Sequence, residues 1–82
     1  MVRVAVRLFA RFRDRAGTDE VSVSLPADSP VSALRDQLAR TWPDLAGLVA
    51  RSAVAVNEQY AADDAVIRQG DDVALIPPVS GG

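Results

Sequence analysis

One segment of this sequence has the apolar spacing of a long amphipathic helix, and alternating segments lie on both sides of it. The apolar residues at helical spacing are Val31, Leu34, Leu38 and Trp42. They form one stripe, which needs a second layer of structure to cover it, and Trp42 is expected to belong to that core. Ser29 can cap the free N–H groups of the helix, Pro30 suits its first position, and Pro43 ends it.

The segment before this helix predicts two strands joined as a hairpin. Apolar residues alternate with others over residues 2–8, which is the period of a half-buried strand. The same period recurs over residues 21–25, and residues 13–18 carry the polar and glycine signals of a turn. In the first strand the alternation places Phe9 on the outer face, together with Arg7.

The segment after the helix predicts three more strands. Asp44 can cap a short turn or helix that contains Leu45, Leu48 and Val49. Residues 53–56 then form a strand, Asn57-Glu58 a turn, and residues 59–61 a brief edge strand. The Gly70-Asp71 turn leads into a last strand at residues 73–76.

This order of elements predicts an α+β fold with one mixed sheet of about four to five strands packed on one main helix. The arrangement resembles the ubiquitin-like β-grasp plan. Residues 1–76 would form this domain, and residues 77–82 would form a flexible C-terminal arm ending in Gly-Gly. No internal repeat or linker indicates a second domain.

The arm has a sequence that suits delivery of its own end to another protein. Pro77 and Pro78 end the sheet ladder and direct the chain outward, because proline fixes φ and donates no hydrogen bond. Gly81 and Gly82 have no Cβ, so partner surfaces can close tightly around them. The reach from Pro77 to Gly82 is at most about 20 Å, enough to enter an active site. The alternative is a frayed terminus without a function.

Composition excludes several classes of function. The chain has 82 residues, 49% of them hydrophobic, and neither cysteine nor histidine. A modest core must therefore stabilise it, and thiol nucleophiles, imidazole bases, ordinary zinc sites and a disulfide framework are excluded. No segment matches a signal peptide or a membrane helix, so we expect a soluble, cytoplasmic protein with no membrane partner and no metal.

Charge is distributed unevenly along the chain. The net charge is −2, yet five of the nine basic residues, all of them arginines, lie within residues 3–15. An exposed arginine face on a strand explains this segment better than a nucleic-acid site, because the whole chain is acidic. The pairs Asp63-Asp64 and Asp71-Asp72 lie beside turn signals without a third ligand, so solvated loops are predicted there instead of a metal site or an acid/base pair.

Four segments together give a resemblance to a known family. They are Phe9-Ala10, the Val-Ala-Val-Asn stretch at residues 54–57, residues 70–74 with the sequence Gly-Asp-Asp-Val-Ala, and the ending Ile-Pro-Pro-Val-Ser-Gly-Gly at residues 76–82. From end to end the chain resembles the small, sulfur-carrying subunits of molybdopterin synthase. Gly-Gly is shared with other ubiquitin-like sulfur carriers, whereas the preceding Pro-Pro-Val-Ser is more particular to the molybdopterin branch.

The resemblance implies a non-catalytic, sulfur-donating subunit with no stably bound cofactor. An ATP-dependent activating enzyme would adenylate the Gly82 carboxylate, and sulfur would then replace the adenylate to give a thiocarboxylate. The large synthase subunit would take in the arm, and the thiocarboxylate would donate sulfur to cyclic pyranopterin monophosphate. The resemblance also implies a complex of two small and two large subunits. Residues threaded into the partner would be Pro77, Pro78, Val79, Ser80 and Gly81.

Docking of the domain requires an exposed apolar patch with a polar rim. Phe9 and Ile76 are the candidates by pattern and by family likeness, with burial in the core as the alternative for each. Arg7, Arg11 and Arg13 are candidates for pairing with acidic groups of a partner, with ordinary solvation as the alternative.

Two other functions fit the same tail. The sulfur could serve thiamine thiazole, cysteine or another metabolite instead of molybdopterin. The chain could also be a ubiquitin-like modifier whose Gly82 is joined to lysines of other proteins.

Overall fold

A computed structural model describes residues 1–78 of the chain. Strands and short helices follow one another along these residues in nearly the predicted order. The elements are β1 (Val2–Leu8), α1 (Arg11–Ala16), β2 (Glu20–Leu25), α2 (Val31–Thr41), a 3-10 helix (Pro43–Leu45), α3 (Ala46–Arg51), β3 (Ala53–Val56), β4 (Gln59–Tyr60) and β5 (Asp72–Ile76). Within residues 1–78, no helix is long and apolar enough to span a bilayer.

The strands form one mixed sheet in the order β2-β1-β5-β3-β4. The first strand pairs antiparallel with β2 and parallel with β5, while β3 pairs antiparallel with both β5 and β4. The predicted α+β class with a five-stranded mixed sheet is therefore confirmed. Because β1 and β5 run in parallel, Phe9 and the residues after Ile76 leave the sheet at the same end.

The core lies between one face of the sheet and α2. Alternate residues of β1 point into it, since Val4, Val6 and Leu8 are at most 2% exposed. The helix contributes the predicted stripe, whose buried members are Val31, Leu34, Leu38 and Trp42. Because α2 covers this face, the opposite face of the sheet is left without a covering layer in the described part of the chain.

The turn predicted at residues 13–18 is wrong for residues 13–16, because Arg11–Ala16 form a helix and the chain turns only from Gly17 onward. Phe12 accounts for the difference: it is fully buried, and its ring centroid lies 6.3 Å from that of Trp42. Gly17 ends the helix in a left-handed conformation with φ 75°, and its N–H donates to the carbonyl of Arg13. The two flanking strands still pair antiparallel, as predicted.

The predicted capping role of Ser29 is also wrong. The helix begins at Val31 with Pro30 as its N-cap residue, and the Ser29 hydroxyl donates to the carbonyl oxygen of Pro26 at 2.6 Å. Backbone carbonyl oxygens of the loop before β5 accept the hydrogen bonds that were predicted for the Ser29 hydroxyl. Val31 N–H donates to the oxygen of Ala65, and Ser32 N–H donates to that of Asp63, each at 2.9 Å. These bonds satisfy two donors of the first turn.

Asp44 does not cap a helix, which corrects a second capping prediction. No side-chain hydrogen bond caps the 3-10 helix or α3. Instead, the Asp44 carboxylate accepts a hydrogen bond from Nε of Arg15 at 3.1 Å. Pro43 does end α2, as predicted, since the helix stops at Thr41.

The two acidic pairs of the sequence differ in structure. Asp63 and Asp64 lie in an exposed loop, as predicted, and the carboxylate of Asp63 accepts from Nε of Arg35 at 2.8 Å. The solvated loop predicted for Asp71-Asp72 is wrong, because both residues are half-buried and Asp72 begins β5. Their hydrogen bonds to Asn57 join this segment to the turn after β3.

Candidate functional site

The uncovered face of the sheet carries a row of neighbouring side chains from four strands. Arg7 pairs with Ala74, Ala74 with Ala55, and Ala55 with Tyr60. Directly paired residues share one face of a sheet, so these four side chains lie side by side. Their sequence neighbours in β1, β5 and β3 point to the core instead.

A second row lies at the end of the sheet where the chain leaves β5. Ile76 pairs with Ala53, and Phe9 directly follows Leu8, the last residue of β1, which pairs with Leu75. Phe9 is 44% exposed, and Ile76 is half-buried. The predicted outward position of Phe9 is therefore confirmed, and its predicted contact with a partner stays a prediction.

The two rows together form what we call the outer apolar patch. Its members are Phe9, Ala53, Ala55, Tyr60, Ala74 and Ile76. Two large side chains dominate its exposed surface, since Phe9 is 44% and Tyr60 is 78% exposed. Contiguous apolar surface of this kind marks a binding site more often than scattered apolar residues do. The alanines between the two rings contribute less surface, since Ala53 and Ala74 are half-buried and Ala55 is only 8% exposed.

A strained backbone corner fixes Phe9 at the edge of this patch. Ala10 has φ 52° and ψ −121°, a region that non-glycine residues rarely adopt. The N–H of Phe12 donates to the oxygen of Phe9 at 3.1 Å and closes a tight turn around Ala10. This corner changes the chain direction from strand to helix within one residue, so that Phe12 enters the core while Phe9 stays outside.

Arg7 has a partner within the chain. Its Nη2 atom lies 3.1 Å from Oδ2 of Asp72, and both side chains are substantially exposed. Exposed pairs contribute little to stability, so the bond can be exchanged for a partner's carboxylate at small cost. The predicted contact of Arg7 with a partner stays a prediction, and such a contact would compete with Asp72.

Arg11 and Arg13 are exposed on the helix that follows the strained corner. Arg13 shares a surface hollow with Phe9 and Arg7. The residues around this hollow are Arg7, Leu8, Phe9, Arg13, Asp19 and Glu20. Two basic and two acidic side chains balance one another here, so the hollow has no clear preference for an anion. The predicted pairing of Arg11 and Arg13 with a partner stays a prediction.

The arm begins at the end of the second row of the patch. β5 ends at Ile76, Pro77 is half-buried and Pro78 is exposed. The remaining predicted site residues, Val79, Ser80, Gly81 and Gly82, lie outside the described residues. The outer apolar patch therefore adjoins Pro77 and Pro78, the first two residues of the predicted arm, and the delivery of that arm to a partner stays a prediction.

The described residues offer little chemistry of their own. No group of three or more histidine, cysteine, aspartate or glutamate side chains within residues 1–78 could hold a metal ion. The pKa of Asp44 is lowered from its ordinary value, chiefly by the hydrogen bond from Arg15. That pair joins α1 to the 3-10 helix, away from the patch, so the shift reflects a surface ion pair.

Tyr60 is the one patch residue with a large side chain that the sequence analysis missed. The signal was present, because a two-residue turn at Asn57-Glu58 places Tyr60 opposite Ala55. Both turn residues have positive φ, 52° and 71°, which is the pattern of a tight hairpin. Extending the predicted strand faces across this turn would have put Tyr60 beside the other outward residues.

Sequence comparison connects the chain to known proteins. The sequence model of the ThiS family matches residues 6–82. A molybdopterin synthase sulfur carrier subunit from Drosophila ananassae is 39% identical over 85 aligned residues, covering 100% of this chain and 93% of the relative. Eight relatives of the same name are 31–39% identical over alignments that cover 84–100% of their length.

Comparison with solved structures leads to the same group of proteins as the sequence comparison. A Pyrococcus furiosus chain assigned as subunit 1 of a molybdopterin converting factor superposes with a TM-score of 0.85 at 32% identity, covering 96% of this chain and 100% of that one. The small archaeal modifier protein 1 of Haloferax volcanii superposes with a TM-score of 0.83 at 29% identity, with coverage of 96% and 100%. These likenesses confirm the ubiquitin-like β-grasp fold. With a family match over residues 6–82 and full-length relatives at this level of identity, the chain belongs to the ThiS family.

Proposed function

We propose that this chain is the cytoplasmic sulfur carrier subunit of a molybdopterin synthase. The observation that carries the proposal is the full-length similarity to proteins of that name, which reaches 39% identity. The family match and this alignment both extend over the Pro-Pro-Val-Ser-Gly-Gly ending of the chain, and the structure adds an exposed apolar patch beside the residues where that ending begins.

The proposed chemistry takes place at the Gly82 carboxylate and needs no reactive side chain of this chain. A carboxylate oxygen attacks the α-phosphorus of ATP in the activating enzyme, and pyrophosphate leaves. The mixed anhydride has a good leaving group, so a sulfide-level sulfur nucleophile displaces AMP and gives the thiocarboxylate. Its sulfur attacks an electrophilic carbon of the cyclic pyranopterin and displaces an oxygen leaving group from that carbon. Water then cleaves the acyl–sulfur bond, which restores the Gly82 carboxylate and leaves the sulfur on the pterin as a thiolate.

The domain and the arm have separate tasks in this scheme. The outer apolar patch binds the large subunit, and the arm places the thiocarboxylate in that subunit's active site. Holding the sulfur beside the pterin converts a bimolecular attack into an effectively intramolecular one. Acid, base and charge stabilisation then come from the large subunit. We propose a complex of two small and two large subunits, which light scattering of the mixed proteins would test.

Intact-mass measurement tests the proposed chemistry directly. The chain is incubated with the activating enzyme, ATP and a sulfur source, and the terminal fragment is then sequenced by mass spectrometry. We expect replacement of one oxygen by sulfur at Gly82, and no replacement when ATP is omitted. A mass that stays unchanged under conditions that load a known sulfur carrier would overturn the proposal.

A second candidate function is attachment to other proteins. The likeness to small archaeal modifier protein 1, with a TM-score of 0.83 at 29% identity, is the observation that favours it. In this case Gly82 would form an amide with a lysine of a target protein. Denaturing gels of cells that express a tagged chain would show bands of higher mass, and these bands would disappear when Gly82 is deleted.

A further inference from the structure

Tyr60 is presented by an element that has little to hold it in place. Its strand, β4, is only two residues long and lies at the edge of the sheet. Tyr60 is 78% exposed, so burial contributes little to fixing its ring. A short hairpin at a sheet edge is marginal by itself, and some other group must keep this one in register.

Asn57 supplies hydrogen bonds that tie this hairpin to the start of β5. Its backbone N–H donates to the oxygen of Asp72 at 2.7 Å, and its Oδ1 atom accepts from the N–H of Asp72 at 3.0 Å. Its Nδ2 atom donates to Oδ1 of Asp71 at 3.1 Å. We call these three residues the Asn57 clasp.

The clasp is supported from both sides. Asp71 is held by the N–H of Arg68, which donates to its second carboxylate oxygen at 2.8 Å. Asp72 directs its own carboxylate to Arg7 on β1. The clasp therefore connects the hairpin to two central strands of the sheet, and through them to the row that contains Arg7.

The turn itself would not hold the hairpin without this support. Asn57 and Glu58 both have positive φ, and glutamate at the second position is unfavourable because its Cβ crowds the backbone there. Asparagine tolerates the left-handed region, so the Asn57 backbone is less strained. The side chain of Asn57 then opposes the tendency of the Glu58 turn to open.

We propose that Asn57 is the positioning residue that holds Tyr60 in the outer apolar patch. This inference rests on the proposed docking of the large synthase subunit, and it deepens that proposal by naming the residue that keeps half of the patch in place. It also explains two of the segments that carried the family resemblance, because Asn57, Asp71 and Asp72 meet in one clasp.

The first test needs no partner protein. Asn57→Gly keeps the positive φ accessible and removes only the side-chain bonds of the clasp. The amide of Ala61, which donates to the oxygen of Val54 at 2.9 Å, reports opening of the hairpin. We expect its hydrogen exchange to accelerate about tenfold, while the amides of central β1 residues keep their rates. Equal acceleration at both places would show a general loss of stability and overturn the inference.

The second test measures affinity for the large synthase subunit in a double-mutant cycle. We expect Asn57→Gly to weaken binding about five- to tenfold in the wild-type background, and to have almost no effect in a Tyr60→Ala background. Equal losses in both backgrounds would mean that Asn57 does not act through Tyr60. Ser29→Ala is the matched control, because it removes one buried hydroxyl bond beside α2, on the other side of the sheet. It should leave affinity unchanged.

Failure of this inference is distinguishable from failure of the proposed function. If the wild-type chain does not bind the large subunit, the docking function is overturned and this inference with it. If the wild-type chain binds and Asn57→Gly binds equally well, only the inference about Asn57 is overturned.

Discussion

The backbone N–H of Phe12 donates to the oxygen of Phe9 at 3.1 Å, yet only one of the two rings lies in the core. Phe9 is 44% exposed and Phe12 is fully buried. The strained corner at Ala10 makes this separation possible. One aromatic residue is thus available for binding while its neighbour stabilises the core, and the two offer a matched pair of substitutions.

Phe12→Ala is expected to destabilise the protein by about 3–5 kcal/mol, because it leaves a cavity beside Trp42. Phe9→Ala should change the free energy of unfolding by no more than about 0.5 kcal/mol, since surface substitutions have small effects. Urea unfolding followed by Trp42 fluorescence measures both. For affinity to the large subunit we expect the reverse order, with the larger loss in Phe9→Ala. Equal stability losses would contradict the assigned positions.

Elements with a long, regular pattern could be predicted from the sequence. The first strand and α2 follow from alternation and helical spacing, and Phe9 follows from the strand's phase. Helix α1 could not be predicted in this way, because its six residues carry only one apolar anchor, Phe12. Its stability comes from the contact of Phe12 with Trp42, which lies thirty residues later in the chain.

Hydrogen bonds to distant residues also limited what the sequence could predict. Ser29 and Asp44 lie where helix-capping residues are usually found, but groups far away in the sequence determine which hydrogen bonds form there. The loop at residues 63–67 supplies the carbonyls that bond the first turn of α2, and Arg15 takes the carboxylate of Asp44. Tyr60 differs from these residues, since the two-residue turn at Asn57-Glu58 is a local signal that places it opposite Ala55.

Arg35→Met is expected to destabilise the fold by about 2 kcal/mol. Nη1 of Arg35 donates to the oxygens of Val49 and Ser52 at 2.8 and 2.6 Å. The substitution removes the side-chain donor of the partly buried Ser52 oxygen and leaves the Val49 oxygen with only the Ser52 N–H, at 3.2 Å. The Arg35 side chain is only 17% exposed. Arg40→Met on the same helix is the control, because Arg40 is exposed, and its effect should stay within about 0.5 kcal/mol. Chemical denaturation of both variants tests this, and similar losses would refute the role of Arg35.

Two glycine substitutions should have opposite effects on stability. Gly17 has φ 75° at the end of α1, so Gly17→Ala is expected to cost about 1 kcal/mol. Gly47 lies within α3, where alanine is expected to stabilise by about 0.5–1 kcal/mol. A Cβ at either position meets nothing within 4 Å. Backbone conformation alone therefore decides whether each substitution stabilises or destabilises the protein. Thermal unfolding measures the shifts, and a stabilising Gly17→Ala would disprove the left-handed conformation.

Because of the Asp44–Arg15 pair, we expect the free energy of unfolding to decrease slightly in acid. The folded-state pKa of Asp44 lies below its ordinary value of 3.8, chiefly because Arg15 bonds the carboxylate. The pair's stabilisation is therefore fully present above pH 3.8 and is lost as the pH falls through the folded-state pKa. Asp44→Asn should be slightly less stable than wild type at neutral pH and low salt, with the gap closing in acid. Asp36→Asn is the control, since Asp36 makes no ion pair within residues 1–78. A stability difference between wild type and Asp44→Asn that grows in acid would contradict a lowered pKa of Asp44.

Deletion of Gly82 is expected to abolish sulfur transfer while leaving the fold intact. Every core residue that the structure describes within residues 1–78 lies before Pro77, so we expect the free energy of unfolding to stay within about 0.5 kcal/mol of wild type. Much of the affinity for the large subunit should also remain, because the outer apolar patch is unchanged. Ser80→Ala keeps the Gly-Gly ending and is the control, which should still be loaded with sulfur. Synthase assays with the activating enzyme compare the three chains. Full activity of the truncated chain would mean that the reacting carbonyl is not that of Gly82, and the sulfur-carrier proposal would then fail even though the fold and the patch remain as described.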